Sequence, residues 1–273
     1  MGSTPLIKLQ SLSKLCDCDV YAKCEHLNPN GTGKDRLALA MIKDAEENGS
    51  LPKGGGGYVV EGSSGSTTLA LAPLVAAAGH KLVAVIPDDC AAEKRDAIRA
   101  CPGVDVHVVQ SAAISSPTHY VNVARKLAKE LNAQGKTAIF ADQFDNLCNW
   151  RTHLNTANEI RNEIGRVDDA IRVADQDALV MAHYLLRFEG LFLGSSSALN
   201  CVAALRAGAE LRRSSQNRLT VVTVLCDGGA RYLSRFWNRD FVEKRGLAWP
   251  PEDSGELAGL VERLVAREEG SVV

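Results

Sequence analysis

The chain has 273 residues, 45% hydrophobic and 23% charged, the composition of a globular protein with one large domain or two modest ones. A formal net charge of −2 gives no overall pull toward nucleic acid or an anionic membrane, and no apolar run approaches the ~20 residues of a spanning helix. Eight cysteines lack a disulfide framework, Cys16 and Cys18 have no second pair at metal-site spacing, and six histidines are scattered singly, so reduced thiols and no metal site are expected. The opening residues carry no signal-peptide or Arg-rich transit pattern, and the reduced thiols predict a cytoplasmic or other reducing compartment, with mitochondrial association left open.

Strand and helix signals alternate along the first half. Asp19–Cys24 predicts a strand. A Gly-rich turn, Asn28-Pro29-Asn30-Gly31-Thr32-Gly33-Lys34-Asp35-Arg36, then leads into a helix over Asp35–Glu47 with apolar Leu37, Ala38, Met41, Ile42 and Ala45. Gly54–Gly57 precedes a strand instead of following one, so it predicts a flexible connector and not a phosphate loop. Strands are predicted at Tyr58–Glu61, Leu82–Ile86, Val104–Val109 and Thr137–Phe140, and helices at Ser66–Ala78, Ala91–Ala100, Tyr120–Leu131 and Leu147–Ile160. These strands are apolar nearly throughout, the pattern of a parallel sheet covered on both faces, and repeated βα units predict a doubly wound α/β architecture. The second half predicts helices at Gln176–Phe188, Ala198–Leu211 and Leu257–Ala266, a buried strand at Leu219–Leu225, a strand at Leu191–Leu193 and a short helix from Tyr232 to Phe236. The expected division is 1–145, 146–249 and a tail, 250–273, that is the least ordered part.

Two turns carry chemistry. Lys34 stands at the head of a helix, where the dipole disfavours a cation. It is either an ordinary solvated lysine or an amine kept nucleophilic toward an aldehyde, as a Schiff-base lysine requires. About thirty residues on, the strand Tyr58–Glu61 runs into Gly62-Ser63-Ser64-Gly65-Ser66-Thr67-Thr68 and then a helix. That arrangement places hydroxyls and free N–H groups where a helix favours an anion.

With Gly2-Ser3-Thr4-Pro5-Leu6, Ile86-Pro87-Asp88-Asp89, Asp142-Gln143-Phe144-Asp145-Asn146, Glu189 to Ser197 and Leu225-Cys226-Asp227, these turns run in the order found in a known family. The chain resembles the cysteine synthase and cystathionine β-synthase branch of the fold-type II enzymes that use pyridoxal phosphate. The resemblance implies two α/β domains with mostly parallel sheets, akin to the tryptophan synthase β chain. It implies that Lys34 is the Schiff-base lysine and also shuttles the substrate's Cα proton. By the same resemblance, Ser63, Ser64, Gly65 and Thr67 form the loop for the substrate carboxylate, Gln143 is a further carboxylate contact, and Ser66 lies near the cofactor's ring oxygen in place of an asparagine. The reaction implied is β-replacement: an activated serine, such as O-acetylserine, loses its leaving group and sulfide adds to give L-cysteine. Relatives of this kind commonly form homodimers.

Two departures accompany the resemblance. After Trp150-Arg151-Thr152-His153 the family continues through further βα units and a Gly/Thr-rich phosphate loop. Here Asn158-Glu159-Ile160 runs directly into Glu163-Ile164-Gly165-Arg166-Val167, so about two units, ~60–80 residues, are missing and the second domain is expected to be incomplete. No Gly-Thr-Gly-Gly loop occurs in the sequence. Gly228 stands where the family has a serine or threonine facing the pyridine nitrogen. Two alternatives therefore stand beside the synthase: a shortened, catalytically impaired relative, and a serine or threonine dehydratase-like lyase.

Overall fold

The computed structural model describes residues 1–164, 173–215 and 217–266. In chain order the elements are β1 (Leu6–Lys8), α1 (Gln10–Cys16), β2 (Asp19–Lys23), α2 (Lys34–Glu47), β3 (Tyr58–Gly62), α3 (Ser66–Ala77), β4 (Lys81–Pro87), α4 (Ala92–Ala100) and β5 (Val104–Val109). They continue with α5 (Tyr120–Ala133), β6 (Ala138–Phe140), α6 (Leu147–Ile164), α7 (Asp175–Glu189), α8 (Ser195–Ser214), β7 (Thr220–Val224), α9 (Arg239–Lys244) and α10 (Ser254–Ala266).

The chain divides into two compact units, Met1–Gly2 with Thr32–Ala157, and Ser3–Gly31 with Asn158–Val273. This differs from the expected 1–145, 146–249 and 250–273. The reason is β2, which pairs parallel with β7 from Asp19↔Thr220 to Lys23↔Val224, so the first strands belong with the last.

The first unit holds a four-stranded parallel sheet in the order β5-β4-β3-β6. Side chains alternate across it, as the two-residue period of a strand requires. Leu82, Ala84 and Ile86 of β4 face a cluster with Leu37 and Met41 of α2, Leu71 of α3 and Ile98 of α4. Val83 and Val85 face the opposite cluster with Ala124 and Ala128 of α5. One sheet thus has helices on both faces, the doubly wound arrangement. Helix α3 is a special case, because its Ala- and Leu-rich sequence is apolar on every side, as suits a helix buried among α2, α4 and β4.

Gly54–Gly57 is no flexible connector. Gly54, Gly55 and Gly56 take positive φ of 84, 111 and 87°, and Gly56 N–H donates to the Gly79 carbonyl at 2.9 Å. A side chain at Gly55 would strike Gly79 main-chain atoms at 2.5–2.9 Å, so the turn is built on glycine.

The second unit has a three-stranded sheet, β1-β2-β7, with β1 antiparallel and β7 parallel to β2. Among the described residues β7 is an edge strand, consistent with an incomplete second domain. Its core gathers Leu9, Leu12, Val20, Met181, Leu185, Val202, Leu205 and Leu225. Helix α10 belongs to this core: Leu257, Val261 and Leu264 are buried and the helix packs on α7 and α8. The helix expected at Leu257–Ala266 is thus present, beginning at Ser254, because three apolar residues at helical spacing find a partner face. Leu191–Leu193 forms no strand beyond a single bridge, Leu193↔Gly228, and the helix expected at Tyr232–Phe236 is instead a 3-10 turn at Gly229–Tyr232.

Two sequence motifs are explained by a buried network in this unit. Glu25 accepts from the Thr4 hydroxyl at 2.6 Å and from Asn28 Nδ2 at 2.9 Å. Lys23 Nζ donates to the Thr4 carbonyl at 2.7 Å and pairs with Glu159 at 3.1 Å. The Thr4-Pro5 and Asn28-Pro29 segments are thus stitched together by satisfied buried polar groups, which are costly to leave unpaired.

Candidate active site

Sheets of this kind bind ligands at the carboxyl ends of their strands. At that end of β3, Ser63 is buried and its hydroxyl is used inside the loop. It accepts from Gly65 N–H at 3.0 Å and Thr68 N–H at 3.3 Å, and lies 3.1 Å from Thr68 Oγ1. The Thr68 hydroxyl also donates to the Gly65 carbonyl at 3.1 Å. This knot holds the main chain open at the head of α3, where the N–H groups of Ser66 and Thr67 have no partner within the helix. Ser64 is exposed. Gly65 has φ of 114°, and a Cβ there would lie 3.0 Å from Cys90 Sγ and 3.1 Å from Lys94 Cδ. Ser66 accepts a hydrogen bond from Lys94 Nζ at 3.2 Å, a contact that the apolar pattern of the sequence gives no means of finding.

Thr67 is buried and its hydroxyl donates to Gln143 Oε1. Gln143 lies just past β6, which pairs with β3 from Tyr58↔Ala138 to Val60↔Phe140. Its Nε2 points to the Gly62 carbonyl at 3.4 Å, and its own carbonyl accepts from Asn149 Nδ2 at 2.9 Å. The structure therefore brings together Thr67 and Gln143, 76 positions apart. Asp142, immediately before, adopts φ of 53°, a left-handed backbone in a non-glycine residue.

Lys34 is the first residue of α2 and half-buried, with its N–H donating to Thr32 Oγ1 at 3.3 Å. Thr32 is itself buried, so it holds the Lys34 N–H from a fixed position just before the Gly33 cap. Helices α2 and α3 pack through one apolar cluster that includes Leu37, Ala38, Ala70 and Leu71.

Gly228 belongs to the second unit. The Tyr232 hydroxyl donates to Asp227 Oδ2 at 2.6 Å, and Ser197 Oγ bonds both the Asp227 carbonyl, at 3.0 Å, and its N–H, at 3.2 Å. Gly228 itself is in extended backbone, φ −85° and ψ 159°, and a Cβ added there would meet only the Phe192 carbonyl oxygen, at 3.8 Å.

The donor set fits part of pyridoxal phosphate. Within the first unit, an amine at Lys34 and a neutral donor at Ser66 suit the aldehyde and ring. The sequence supplies no Gly-Thr-Gly-Gly loop for the phosphate.

All eight cysteines are free, and six are buried. Burial pushes the Cys16 and Cys24 thiols up to about 11, so they stay protonated and unreactive. Among the described residues no helix is long and apolar enough to cross a membrane.

The family described as "Pyridoxal-phosphate dependent enzyme" matches residues 1–171. Cysteine synthase 2 of Neurospora crassa is 34% identical over 331 aligned positions, covering 87% of this chain and 72% of the relative. That alignment is longer than the chain's own 273 residues, so the relative carries residues with no counterpart here. The crystal structure of an O-ureido-L-serine synthase superposes with a TM-score of 0.74 at 26% identity, covering 86% of this chain and 92% of that one. A cysteine synthase from Entamoeba histolytica shares the fold, with a TM-score of 0.78 at 19% identity over 98% of this chain and 94% of that one. The chain belongs to the pyridoxal-phosphate dependent enzymes of fold-type II, in their cysteine synthase-like branch.

Proposed function

We propose that this chain carries out β-replacement on an activated L-serine, with sulfide as the incoming nucleophile and L-cysteine as product. The contact of the Thr67 hydroxyl with the Gln143 amide carries this reading, because it assembles a neutral carboxylate cradle in the unit that also holds Lys34. Lys34 would hold the cofactor's aldehyde carbon, and Ser66 would donate to its ring oxygen. When bound, pyridoxal phosphate supplies an electron-withdrawing ring that eases departure of the β-substituent.

The remaining steps fall to side chains of the protein. Thr67 fixes the Gln143 amide by donating to its oxygen, and the Gln143 NH₂ and the first-turn N–H groups of α3 donate to and orient the substrate carboxylate at the positive end of the helix. Gly65 lets the main chain approach closely. The Lys34 amine would move the proton at Cα.

A second reading, a catalytically impaired relative, is favoured by two features: no Gly-Thr-Gly-Gly loop in the sequence and no side chain at Gly228. An unpaired phosphate dianion is expensive to bury, and each lost charge-assisted hydrogen bond forfeits ~1.5–3 kcal/mol. One experiment separates the two. The purified chain is titrated with pyridoxal phosphate, and a visible absorption band that Lys34→Ala abolishes is expected. No band at saturating cofactor sinks the enzyme reading. Given a band, sulfide-dependent cysteine formation from O-acetylserine distinguishes a synthase from a dehydratase, which deaminates serine instead.

A further inference from the structure

Glu61, the penultimate residue of β3, has no part in the chemistry described above, yet it sits at its centre. It is 1% exposed, and its Oε2 is buried with no hydrogen-bond partner. The polar groups that act on its carboxyl come from one turn: the main-chain N–H groups of Asp142 and Gln143 and the Gln143 side-chain amide. That same amide receives the Thr67 hydroxyl on its oxygen, and besides acting on the Glu61 carboxyl its nitrogen makes a long contact, 3.4 Å, to the Gly62 carbonyl. Next to Glu61 in sequence, Gly62 packs its backbone directly on α5, since a Cβ there would lie 2.5 Å from the Tyr120 carbonyl oxygen.

Gln143 can hold a substrate carboxylate only through its NH₂, because a carboxylate accepts and does not donate. Its oxygen is already taken by Thr67. Whether the NH₂ is available therefore depends on the group competing for it.

We propose that Glu61 is the positioning residue of the carboxylate cradle: its neutral carboxyl props the Asp142–Gln143 turn and leaves the Gln143 NH₂ free for the substrate. This rests on the β-replacement reading of the site. An ionised Glu61 would instead hold that NH₂ by a charge-assisted bond, roughly twice as strong as a neutral one. Burial is the main reason the carboxyl stays neutral, pushing it up to about 8, with the neighbouring Asp142 carboxylate acting in the same direction. The charged and titratable groups facing it are Asp142, whose carboxylate lies 3.6 Å from Arg125, and Tyr120, on which Asp89 also acts. A carboxyl with its proton held up to about pH 8 is in its competent form below that pH and loses it above.

The test is calorimetric binding of L-alanine, an amino acid with no leaving group, to the cofactor-loaded chain between pH 6.5 and 9. Glu61→Gln and Glu61→Ala are measured alongside. Wild-type affinity is expected to fall about tenfold from pH 7 to 9, one pKa unit's worth of interaction. Glu61→Gln, a permanent mimic of the neutral acid, should bind as wild type does at pH 7 and hold that affinity at pH 9. Glu61→Ala should bind at least ~tenfold more weakly at every pH, in line with the loss of ~1.4 kcal/mol of positioning. The ligand's own titration is common to all three proteins and cancels. Infrared difference spectra provide a second readout: a protonated-carboxyl stretch that disappears around pH 8 in wild type and is missing in Glu61→Gln. The proposal is overturned if wild type and Glu61→Gln share one pH dependence, or if the wild-type stretch is already absent at pH 7. Failure of wild type to bind L-alanine at any pH, with no Lys34-dependent band, overturns the underlying β-replacement reading as well and is recognisably different from either result.

Discussion

Gly228 is the residue at which lineage and chemistry part. Its extended backbone is one that any L-residue adopts, and the nearest obstacle to a Cβ is a carbonyl oxygen at ordinary contact distance. Nothing steric in its own unit therefore requires glycine. The family resemblance puts a hydroxyl here, facing the pyridine nitrogen. Gly228→Ser is accordingly expected to tighten pyridoxal phosphate about tenfold, the worth of one net hydrogen bond of ~1–1.5 kcal/mol. Titration of the visible band in both proteins measures it, and an unchanged dissociation constant would show that position 228 does not reach the ring. Lys34 differs in kind, because there the residue type is retained and only its partner groups are reduced.

Among the elements, β3 and α5 show how tightly the site is framed. Gly62 presses so closely on α5 that a methyl group would lie 2.5 Å from Tyr120 O and 2.8 Å from Val121 Cα, both main-chain atoms that cannot swing aside. Gly62→Ala should cost about 1–3 kcal/mol by overpacking. Urea denaturation checks this, and a loss under ~0.5 kcal/mol would mean that α5 shifts freely. The strands of this sheet were legible in the sequence: Val104–Val109, where valines alternate with Asp105 and His107, matches its predicted bounds, and Tyr58–Glu61 and Leu82–Ile86 come within a residue, because short, mainly apolar segments flanked by turns leave few options. Elements β1 and α1 were not legible. The first is three residues stabilised by antiparallel pairing with β2, and the second starts without a side-chain cap, so neither leaves a local signature. Leu191–Leu193 misled for the opposite reason, an apolar triplet whose hydrogen bonds go instead to Gly229 N–H and the Trp237 indole. The site was legible in residue type but not in direction. Composition marked Ser63 and Thr67 alike as hydroxyl donors, whereas the fold turns Ser63 inward to tie its own loop and sends Thr67 across to Gln143.

At the scale of the whole chain, the shortened sequence still closes two separate cores. One gathers around β3 and β4, the other around β2, β7, α7 and α8, and the second recruits both the first residues and the last helix. Much of the second core's closure comes from contacts distant in sequence, β2 on β7 and α10 on α7, so its integrity depends on both the first and the last elements of the chain. Helix α10 is the sharpest case, with Leu257 1% exposed and packed into that cluster. Leu257→Ala removes a buried side chain and leaves a cavity, which should cost about 2–5 kcal/mol. Because each core is its own, the loss should be regional. Native-state hydrogen exchange should show amides of α7, α8 and β7 losing protection by that amount while those of β3 and β4 keep theirs. An equal drop in both sets would mean that the two cores unfold as one, and the carboxylate cradle on β3 would then be only as stable as the shortened half of the chain.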